Sequence, residues 1–390
     1  MTPTLRLSIG GLLAACLIAM APPAAQAAPT DLGGAVTAKL HTYAAAADQR
    51  GLAATTQVNL LRQSASGWAF GSAVLTAPHT ADAHPLGWLF VARRDGRTWQ
   101  VAFEGEPAFA QLSRQTPLTD GTEKRLLGQL GGAAPAFAGG DFRTGMRLPF
   151  TVGQSWYMGG GPHGWGGSDT PYSSIDLSGG DGRVLAARAG TAYTMCASGR
   201  GWIRVIHDRG YATDYYHLFN NIAANGLAVS EGTFLGNTGT DVSCGGSANG
   251  AHVHFALRQN SAYVAVTGHN YGKWVLNQGG SAYAGSALHG SVQVNAGGAL
   301  YNYGALGLNQ GLVDAFGGGT VNRRSGPGTG YGVVGSIADG ATFTVACSAN
   351  GTSHTGRYGT TALWNKMSDG TWISDAFAWT GLNGPINGWC

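Results

Sequence analysis

Two histidines separated by one residue, His252 and His254, lie in the apolar segment Ala251–Leu257. Successive side chains of a β-strand point to opposite faces, so the segment predicts a strand with both imidazoles on one face and apolar side chains on the other. Imidazole is a common metal ligand and a general acid or base near neutral pH. One face of this strand is therefore a candidate for metal binding or catalysis, and the other belongs to the core.

A carboxylate in an apolar setting is the second indication of chemistry. Asp176 lies between Ile175 and Leu177, where an unpaired charge would be costly, so it needs a cation or hydrogen-bond donors. A catalytic zinc ion takes three protein ligands and leaves one position open to water. The chain offers His163 on a glycine-rich loop, Asp176, and one histidine of the pair, so we expect one Zn²⁺ per chain.

A histidine must act as the general base of such a site. Glu231 is the single glutamate after residue 140, and no HExxH sequence is present, so a helical glutamate cannot deprotonate the water. His217, in the segment Asp214–Leu218, can take this role together with the other histidine of the pair. A serine nucleophile is disfavoured because no Gly-x-Ser-x-Gly elbow stands out.

The N-terminus predicts export. Arg6 precedes an apolar run up to Met20, and a small-x-small site follows at Ala25–Ala27. This layout is typical of a secretory signal peptide over residues 1–27, and the run is too short to span a membrane. A lipoprotein box ending at Cys16 is the alternative, disfavoured because the apolar run continues past it. We expect a secreted protein that does not bind membranes in its mature form.

Four cysteines remain after the signal peptide. An even number in an exported protein predicts two disulfide bonds. Three pairings are possible, and position in the chain favours Cys196 with Cys244 and Cys347 with Cys390.

Composition predicts an all-β protein of two or three domains. The chain has 390 residues, of which 65 are glycine and 11% are charged, and this favours short strands joined by glycine-rich turns over long surface helices. The formal net charge of +3 is spread evenly along the chain. This balance excludes the basic excess of a nucleic-acid or anionic-membrane binder.

The chain divides into three units after the signal peptide. Residues 28–140 contain a helix predicted at Ala35–Gln49 and then alternating strands, and they are most simply a mainly-β pro-region that assists folding or blocks the site until removed. The Gly/Ala-rich stretch Gly131–Gly140 is a candidate cleavage linker. His79 and His84 lie in a loop-like stretch, and we expect both to be solvated.

The second unit, residues 141–309, alternates strands with glycine-rich turns. Asn277–Gly304 is either its trailing edge or a linker. The third unit, residues 310–390, has short strands with tight turns, which suggests a small barrel. The clearest strands of the second unit are Val184–Ala192, Trp202–His207, Ala212–Leu218 and His252–Arg258.

Residues 142–290 resemble the M23 family of lysostaphin-type zinc metallopeptidases, and most closely its branch containing β-lytic protease and staphylolysin. The third unit resembles a bacterial SH3 domain over most of residues 312–381, through Val321–Thr329 and Gly370–Asp375. The stretches that carry the M23 resemblance are Gln154–Trp156, Gly161–His163, Thr170–Asp176, Ala189–Thr191, Ala212–Leu218 and Gly250–Phe255.

The M23 resemblance implies an antiparallel β-sheet core with glycine-rich loops and a role for each of five residues. It implies that His163, Asp176 and His254 bind zinc. It implies that His217 and His252 are the catalytic histidines.

The resemblance also implies a tyrosine after the HxH strand that helps position the transition state. Tyr283 matches its setting best, with Tyr271 the alternative. Trp156 and Trp165 flank the expected site and are candidates for a groove, although core aromatic residues need no function. We expect His207 to be solvated or structural, and we place His269, His289 and His354 outside the site.

The leading hypothesis is a secreted, zymogen-like, monomeric zinc endopeptidase that cuts peptide cross-links of bacterial peptidoglycan. The resemblance implies peptidoglycan and a preference for Gly-containing bonds, and the SH3-like unit would tether the enzyme to the cell wall. One alternative is a general secreted protease of Gly-rich proteins. The other is a catalytically inactive M23-like protein that binds peptidoglycan or activates another hydrolase.

Overall fold

The computed structural model of the chain describes residues 31–46, 55–131 and 140–390. The expected signal peptide, Cys16 and most of the expected cleavage linker lie outside these ranges. No helix within the described ranges is long and apolar enough to cross a lipid bilayer.

The N-terminal unit, defined here as residues 31–131, is a four-stranded antiparallel sheet with three helices. The strands lie in sequence order, so each pairs with its neighbour along the chain. Its elements are α1 (Leu32–Ala46), β1 (Thr56–Gln63), β2 (Trp68–Leu75), β3 (Leu86–Asp95), β4 (Thr98–Phe103), α2 (Pro107–Gln115) and α3 (Gly121–Leu127).

The helices α2 and α3 were not expected from the sequence, although both carry start signals. Pro107 stands at the first turn of α2, where its missing N–H costs nothing. Asp120 precedes α3 and its Oδ1 accepts a hydrogen bond of 2.7 Å from the Glu123 N–H. Both helices are short, with nine residues in α2 and seven in α3, and the start signals are the feature that the sequence offers for predicting them.

An eleven-stranded central sheet follows, with the strand order β11-β8-β9-β10-β13-β6-β5-β19; β12, β7 and β14 pair beside this path. A smaller sheet, β15 to β18, packs against it. The strands are β5 (Ser155–His163), β6 (Ser174–Ser178), β7 (Arg183–Leu185), β8 (Gly190–Thr194), β9 (Gly201–Ile206), β10 (Tyr211–Phe219), β11 (Asn225–Val229), β12 (Phe234–Asp241), β13 (Val253–Gln259), β14 (Ala262–Tyr263), β15 (Asn270–Tyr271), β16 (Trp274–Gln278), β17 (Gly285–His289), β18 (Val292–Asn295) and β19 (Ala299–Tyr301).

The structure corrects one strand predicted for this region and settles whether its last segment is a linker. The stretch Val184–Ala192 is two strands rather than one, because β7 ends at Leu185 and pairs with β12, whereas β8 begins at Gly190 and pairs with β9 and β11. Asn277–Gly304 is part of the folded unit and not a linker. Its strand β19 pairs with β5 in the central sheet.

The central sheet has two buried faces. Side chains such as Val205, Tyr215 and Phe255 point into a core that the second unit builds by itself. The opposite face carries Trp202 and Tyr216, which pack in a second core with the N-terminal unit. The members that the N-terminal unit contributes to this second core are Trp68, Phe70, Val74, Leu89, Val91, Ala102, Phe109, Leu112, Leu126, Leu127 and Leu130. The N-terminal unit therefore covers one face of the sheet that holds the candidate site.

The C-terminal unit is a seven-stranded sheet with the order β22-β21-β25-β24-β23-β20-β26. Disulfide bonds join Cys196 to Cys244 in the second unit and Cys347 to Cys390 here. The strands are β20 (Gln310–Val313), β21 (Thr320–Arg324), β22 (Val333–Ala338), β23 (Thr342–Gly356), β24 (Gly359–Met367), β25 (Trp372–Ser374) and β26 (Ala378–Trp379).

Candidate active site

Three neighbouring strands bring His163, Asp176 and His254 together. His254 of β13 pairs in register with Asp176 of β6, and His163 ends β5 on the other side of β6. The Nε2 atom of His163 lies 3.2 Å from Nδ1 of His254 and 3.5 Å from Oδ1 of Asp176. Nδ1 of His254 lies 3.1 Å from the same carboxylate oxygen. Two nitrogens and one oxygen thus face a common centre.

This triangle of atoms fits a zinc ion. Zinc binds nitrogen and oxygen ligands at about 2.0–2.2 Å with tetrahedral angles, which separates two ligand atoms by about 3.3–3.5 Å. The Nδ1 atom of His163 is 2.7 Å from the Gly161 carbonyl, to which it can only donate, so the Nε2 atom offers its lone pair to the centre. The donor set and its spacing are therefore suited to holding Zn²⁺, with a side left open for water.

His217 and His252 lie beside these three residues. Nδ1 of His217 donates to the Asp241 carbonyl at 3.1 Å, and Nδ1 of His252 donates to the Gly250 carbonyl at 2.9 Å. The two rings are 4.8 Å apart, and Nε2 of His252 is 3.6 Å from Oδ1 of Asp176. Because both Nδ1 atoms carry a proton, each neutral ring keeps an Nε2 lone pair for proton transfer.

His217 reaches this position through an irregularity in β10. Its φ angle is +66°, and the pairing of β10 with β9 shifts register between Tyr215 and Leu218. Such bulges redirect a side chain out of the strict alternation of a strand and are frequent next to active sites. The local sequence alone would have left the direction of this imidazole undecided.

Burial and neighbouring groups set the charges of the site. Burial raises the pKa of Asp176, but the neighbouring imidazoles of His163 and His254 outweigh this effect and hold the pKa well below its usual value. Burial lowers the pKa of His254 to about 4, against the opposing effect of Asp176. Burial, with the charges of His252 and His254, also lowers the pKa of His217 well below its usual value. At neutral pH these groups are thus a carboxylate and neutral imidazoles, the forms that bind metal.

Tyr283 completes the described site. Its ring stacks on that of His163 with the centres 4.1 Å apart, and the Tyr283 N–H donates to the Pro162 carbonyl. Burial and the charge of Asp176 raise the pKa of Tyr283 to about 12, so its hydroxyl stays protonated and can donate. Tyr271 lies on the other face of the sheet, where it is buried 4.8 Å from Phe255 and does not line the site.

A cavity of about 490 Å³ opens beside these residues, and the N-terminal unit forms part of its wall. Ala81, Asp82 and His84 line it together with Asp176, His217, His252, His254 and Tyr283. The chain near His84 is anchored on both sides, because Trp165 Nε1 donates to the Pro85 carbonyl at 2.7 Å and the Gly246 N–H donates to the Pro78 carbonyl at 3.1 Å.

The expectation that His84 is solvated is wrong. Its ring lies 5.5 Å from the His254 ring and 6.2 Å from the Trp165 ring. The sequence gives no local signal for this contact, because its partners are far away along the chain. His79, in the same stretch, is exposed as expected.

Other aromatic residues and histidines divide between core and site. Trp156 does not flank the site, because it is buried in the core and stacks on Phe150 at 4.7 Å. Trp165 does flank it, 5.0 Å from the His254 ring. His207 is structural, with its nitrogens 2.9 Å from the Ala189 carbonyl and from the Thr213 hydroxyl.

Comparison with known proteins agrees with this geometry. The model of peptidase family M23 matches residues 170–266, a range that includes Asp176, His217 and the HxH pair. A beta-lytic metalloendopeptidase from Lysobacter enzymogenes is 32% identical over 148 residues, which are 35% of this chain and 82% of that protein. The chain belongs to peptidase family M23.

Other relatives of this M23 family member match different shares of the chain. Protease LasA of Pseudomonas aeruginosa is 35% identical over 241 residues, which are 57% of this chain and 54% of LasA, so the chain spans about half of that relative. The structure of the M23 metalloprotease pseudoalterin from the deep sea shares 33% sequence identity over 40% of this chain and 97% of that chain, with a TM-score of 0.37.

Proposed function

We propose that this M23 family member is a secreted zinc metalloendopeptidase, with one Zn²⁺ held by His163, Asp176 and His254. The observation that carries the proposal is the triangle of ligand atoms with edges of 3.1 to 3.5 Å. A zinc ion held there would supply Lewis-acid activation of a water molecule and of the scissile carbonyl. Export through the signal peptide, residues 1–27, belongs to the same proposal.

The residues around the ligands would move the protons. His217 or His252 accepts a proton at Nε2 and returns it to the leaving amine. The other histidine and the Tyr283 hydroxyl donate hydrogen bonds to the oxyanion that develops on the carbonyl. The Nδ1 proton of each ring points to a carbonyl, so the histidine that acts as base has Nε2 unprotonated at the start of the reaction, and the histidine that donates to the oxyanion carries a second proton, at Nε2.

The proposed substrates are peptide cross-links of bacterial peptidoglycan, with a preference for Gly-containing bonds. Main chain approaches the ligands closely here: Gly159 and Gly160 line the cavity, and a Cβ atom added to Gly160 would lie 2.5 Å from Oδ2 of Asp176. A site with walls this close suits substrate residues without side chains. The family membership and the beta-lytic and LasA relatives support a peptidase acting on this class of material.

The N-terminal unit is proposed to keep the enzyme latent. Residues 28–140 would be a pro-region, since Asp82 and His84 stand in the cavity and the unit shares a buried core with the central sheet. Proteolysis within 131–140 would separate it from the peptidase domain, residues 141–309. A substrate in the cavity and the segment around His84 compete for the same space.

The C-terminal unit, residues 310–390, is proposed to be an SH3-like cell-wall-binding domain. Its small, strand-rich sheet and its disulfide from Cys347 to Cys390 support a compact module. Leu312 and Trp379 pack with Val275 of the peptidase domain, which would hold the module near the enzyme. We propose that the mature protein acts as a monomer.

Zinc analysis tests the metal site directly. The purified chain should contain one zinc per molecule, and His163→Ala should lose it, whereas the exposed-residue control His79→Ala should keep it. Lysis of purified cell walls by the processed His163→Ala variant at the wild-type rate would overturn the zinc-peptidase proposal.

Substrate comparison tests the bond class. We expect the processed enzyme to release fragments from purified bacterial cell walls and to cut pentaglycine, but to cut an unfolded protein poorly. Equal rates on all three would support a general secreted protease. Wall binding without cleavage of any of them would support an inactive binding protein.

A further inference from the structure

The buried face under the N-terminal unit contains an ionic cluster built from both units. Arg204 of β9 donates from Nε and Nη2 to the two carboxylate oxygens of Asp214 in β10, at 2.8 and 2.9 Å. Its remaining nitrogen, Nη1, donates to Oε1 of Glu104, which directly follows β4 of the N-terminal unit. Nη2 of Arg258 in β13 lies 3.3 Å from the same Glu104 oxygen. All four side chains are buried.

Glu104 is the member that balances the charge of this cluster. Two arginines face two carboxylates while the N-terminal unit is present, and two arginines face Asp214 alone once the unit has gone. Asp214 cannot serve both guanidinium groups, because it also accepts hydrogen bonds from Trp202 Nε1 at 2.8 Å and the Tyr263 hydroxyl at 3.0 Å. Removal of the N-terminal unit therefore leaves one cation without an anion and with free N–H donors.

Arg258 already has a donor to spare. Within residues 31–46, 55–131 and 140–390, its buried Nε–H has no hydrogen-bond partner. Its guanidinium lies 4.5 Å from the centre of the Tyr263 ring, which holds it flat against an aromatic wall. Its Nη2 also donates to the Ser261 carbonyl, and an arginine held in place in this way with a free Nε–H is preorganised for binding a carboxylate.

This cluster is continuous with the candidate active site. His254 and Arg258 lie on the same face of β13, four residues apart, which is about 13 Å along an extended strand. Trp165 bridges the interval: its ring is 5.0 Å from the His254 ring and stacks on Tyr263 at 5.1 Å. A cavity of about 450 Å³ lies alongside, lined by Trp165, Pro171, Arg258 and Tyr263 and by side chains of the N-terminal unit.

We propose that Arg204 and Arg258 form a carboxylate-binding subsite for the substrate, and that Glu104 occupies this subsite in the full-length chain. The inference rests on the proposed release of the N-terminal unit. The ligand is an acidic residue of the substrate peptide, about four residues from the bond that is cut, since an extended peptide advances about 3.3 Å per residue. The ligand would take the place of the Glu104 carboxylate beside two guanidinium groups. Its chemical class is therefore a carboxylate.

Peptide cleavage tests the subsite. The chain is folded intact, cut in the linker by a site-specific protease whose recognition sequence is placed within residues 132–139, and freed of the N-terminal unit. Its substrates are glycine-rich fluorogenic peptides with a single glutamate four residues to either side of the cleaved bond, and the same peptides with glutamine. In one of the two placements, we expect the glutamate peptide to be favoured about tenfold in kcat/KM through a lower KM, the size expected of a charged hydrogen bond.

Variants assign this preference to the arginine. Arg258→Gln should bring the ratio of kcat/KM for the glutamate and glutamine peptides close to one, and Arg258→Lys should give an intermediate ratio because it keeps the charge and loses the fork. Arg183→Gln, at an exposed arginine of β7 outside the cluster, should keep the wild-type ratio. A ratio of one in the wild-type enzyme at both placements would overturn the proposal without any variant having to fold.

Equilibrium binding of the same peptides separates this inference from the proposed function. Tighter binding of the glutamate peptide without cleavage of either peptide would support the subsite and contradict the peptidase. Cleavage of both peptides with equal affinity would support the peptidase and contradict the subsite.

Discussion

The imidazole of His84, in the N-terminal unit, lies 5.5 Å from the imidazole of His254, a member of the candidate metal site. The two residues are 170 positions apart in the chain, yet both line the same cavity. The contact depends on main-chain anchors: the Ala77 N–H donates to the Cys244 carbonyl at 3.0 Å, and the Pro78 and Pro85 carbonyls accept from the second unit. The segment is therefore held in the cavity from both ends.

The uncut chain should cleave pentaglycine more slowly than the processed enzyme, and His84→Ala should raise the rate of the uncut chain several-fold. Removing the imidazole empties space next to His254 while the main-chain anchors remain. Initial rates with the two uncut proteins give the measurement. His79→Ala, an exposed histidine of the same segment, is the control and should leave the rate of the uncut chain as it was. An unaltered rate in His84→Ala would show that the main chain alone obstructs the site.

The two histidines of the HxH pair should respond differently to substitution. His254→Ala removes a ligand atom, so zinc should be lost together with activity. His252→Ala should retain zinc but lower kcat about 100-fold or more, the usual contribution of a general acid or base. Zinc content and kcat of each processed variant supply the comparison. Equal zinc loss in both variants would mean that the roles of the pair are assigned wrongly.

Tyr283→Phe should keep zinc and the substrate KM while lowering kcat about 100-fold, because one donor to the developing oxyanion is lost. Tyr271→Phe is the matched control. It removes a buried hydroxyl that has no hydrogen-bond partner in the described part of the chain, on the far side of the sheet. Steady-state kinetics of the two processed variants decide between them, and a larger loss in Tyr271→Phe would reverse the assignment.

Local pattern indicated part of the candidate site, whereas the roles of the individual histidines came from the M23 resemblance. His252 and His254 alternate with apolar residues on one strand, and Asp176 stands between two apolar neighbours. In both places a few neighbouring residues are enough to indicate a candidate for metal binding or catalysis. Local pattern did not distinguish Tyr283 from Tyr271, and only the M23 resemblance favoured Tyr283. Tyr283 reaches the site by stacking on His163 with a φ angle of +65°, a conformation that no alternation rule supplies.

The packing of the N-terminal unit against the central sheet could not be predicted from the sequence either, because the residues in contact are far apart in the chain. Glu104 and Arg204 are 100 residues apart, and neither has a nearby partner in sequence that would indicate a buried ion pair. The alternating pattern predicted the strands of the N-terminal unit and favoured a separate unit. This pattern could not show that the side chains of Trp202 and Tyr216 are buried by packing against the N-terminal unit.

Removing the carboxylate of Glu104 should weaken the full-length fold strongly. Glu104→Ala leaves the buried Arg204 and Arg258 facing Asp214 alone, so one guanidinium charge is uncompensated, and breaking a buried pair in this way costs about 3–5 kcal/mol. Lys39→Ala provides the control, because it removes the partly exposed ion pair between Lys39 and Glu106, which should contribute at most about 1 kcal/mol. Urea unfolding of the two full-length variants measures the difference. Equal losses would show that the cluster contributes no more than a surface pair.

Acid should destabilise the fold through His207, a histidine remote from the proposed zinc ligands. Burial lowers the pKa of His207 from 6.5 to about 4. As the pH falls from 6.5 to 4, the unfolded chain binds a proton that the folded chain does not, so the free energy of unfolding decreases over this window and levels off below it. The difference in pKa corresponds to about 3 kcal/mol for this fully buried ring. His207→Gln should remove that part of the slope, because glutamine can still donate to the Ala189 carbonyl and does not titrate. Urea unfolding of the wild type and the variant at pH 7, 5.5 and 4.5 measures the slope, and parallel pH profiles for the two proteins would contradict the assignment.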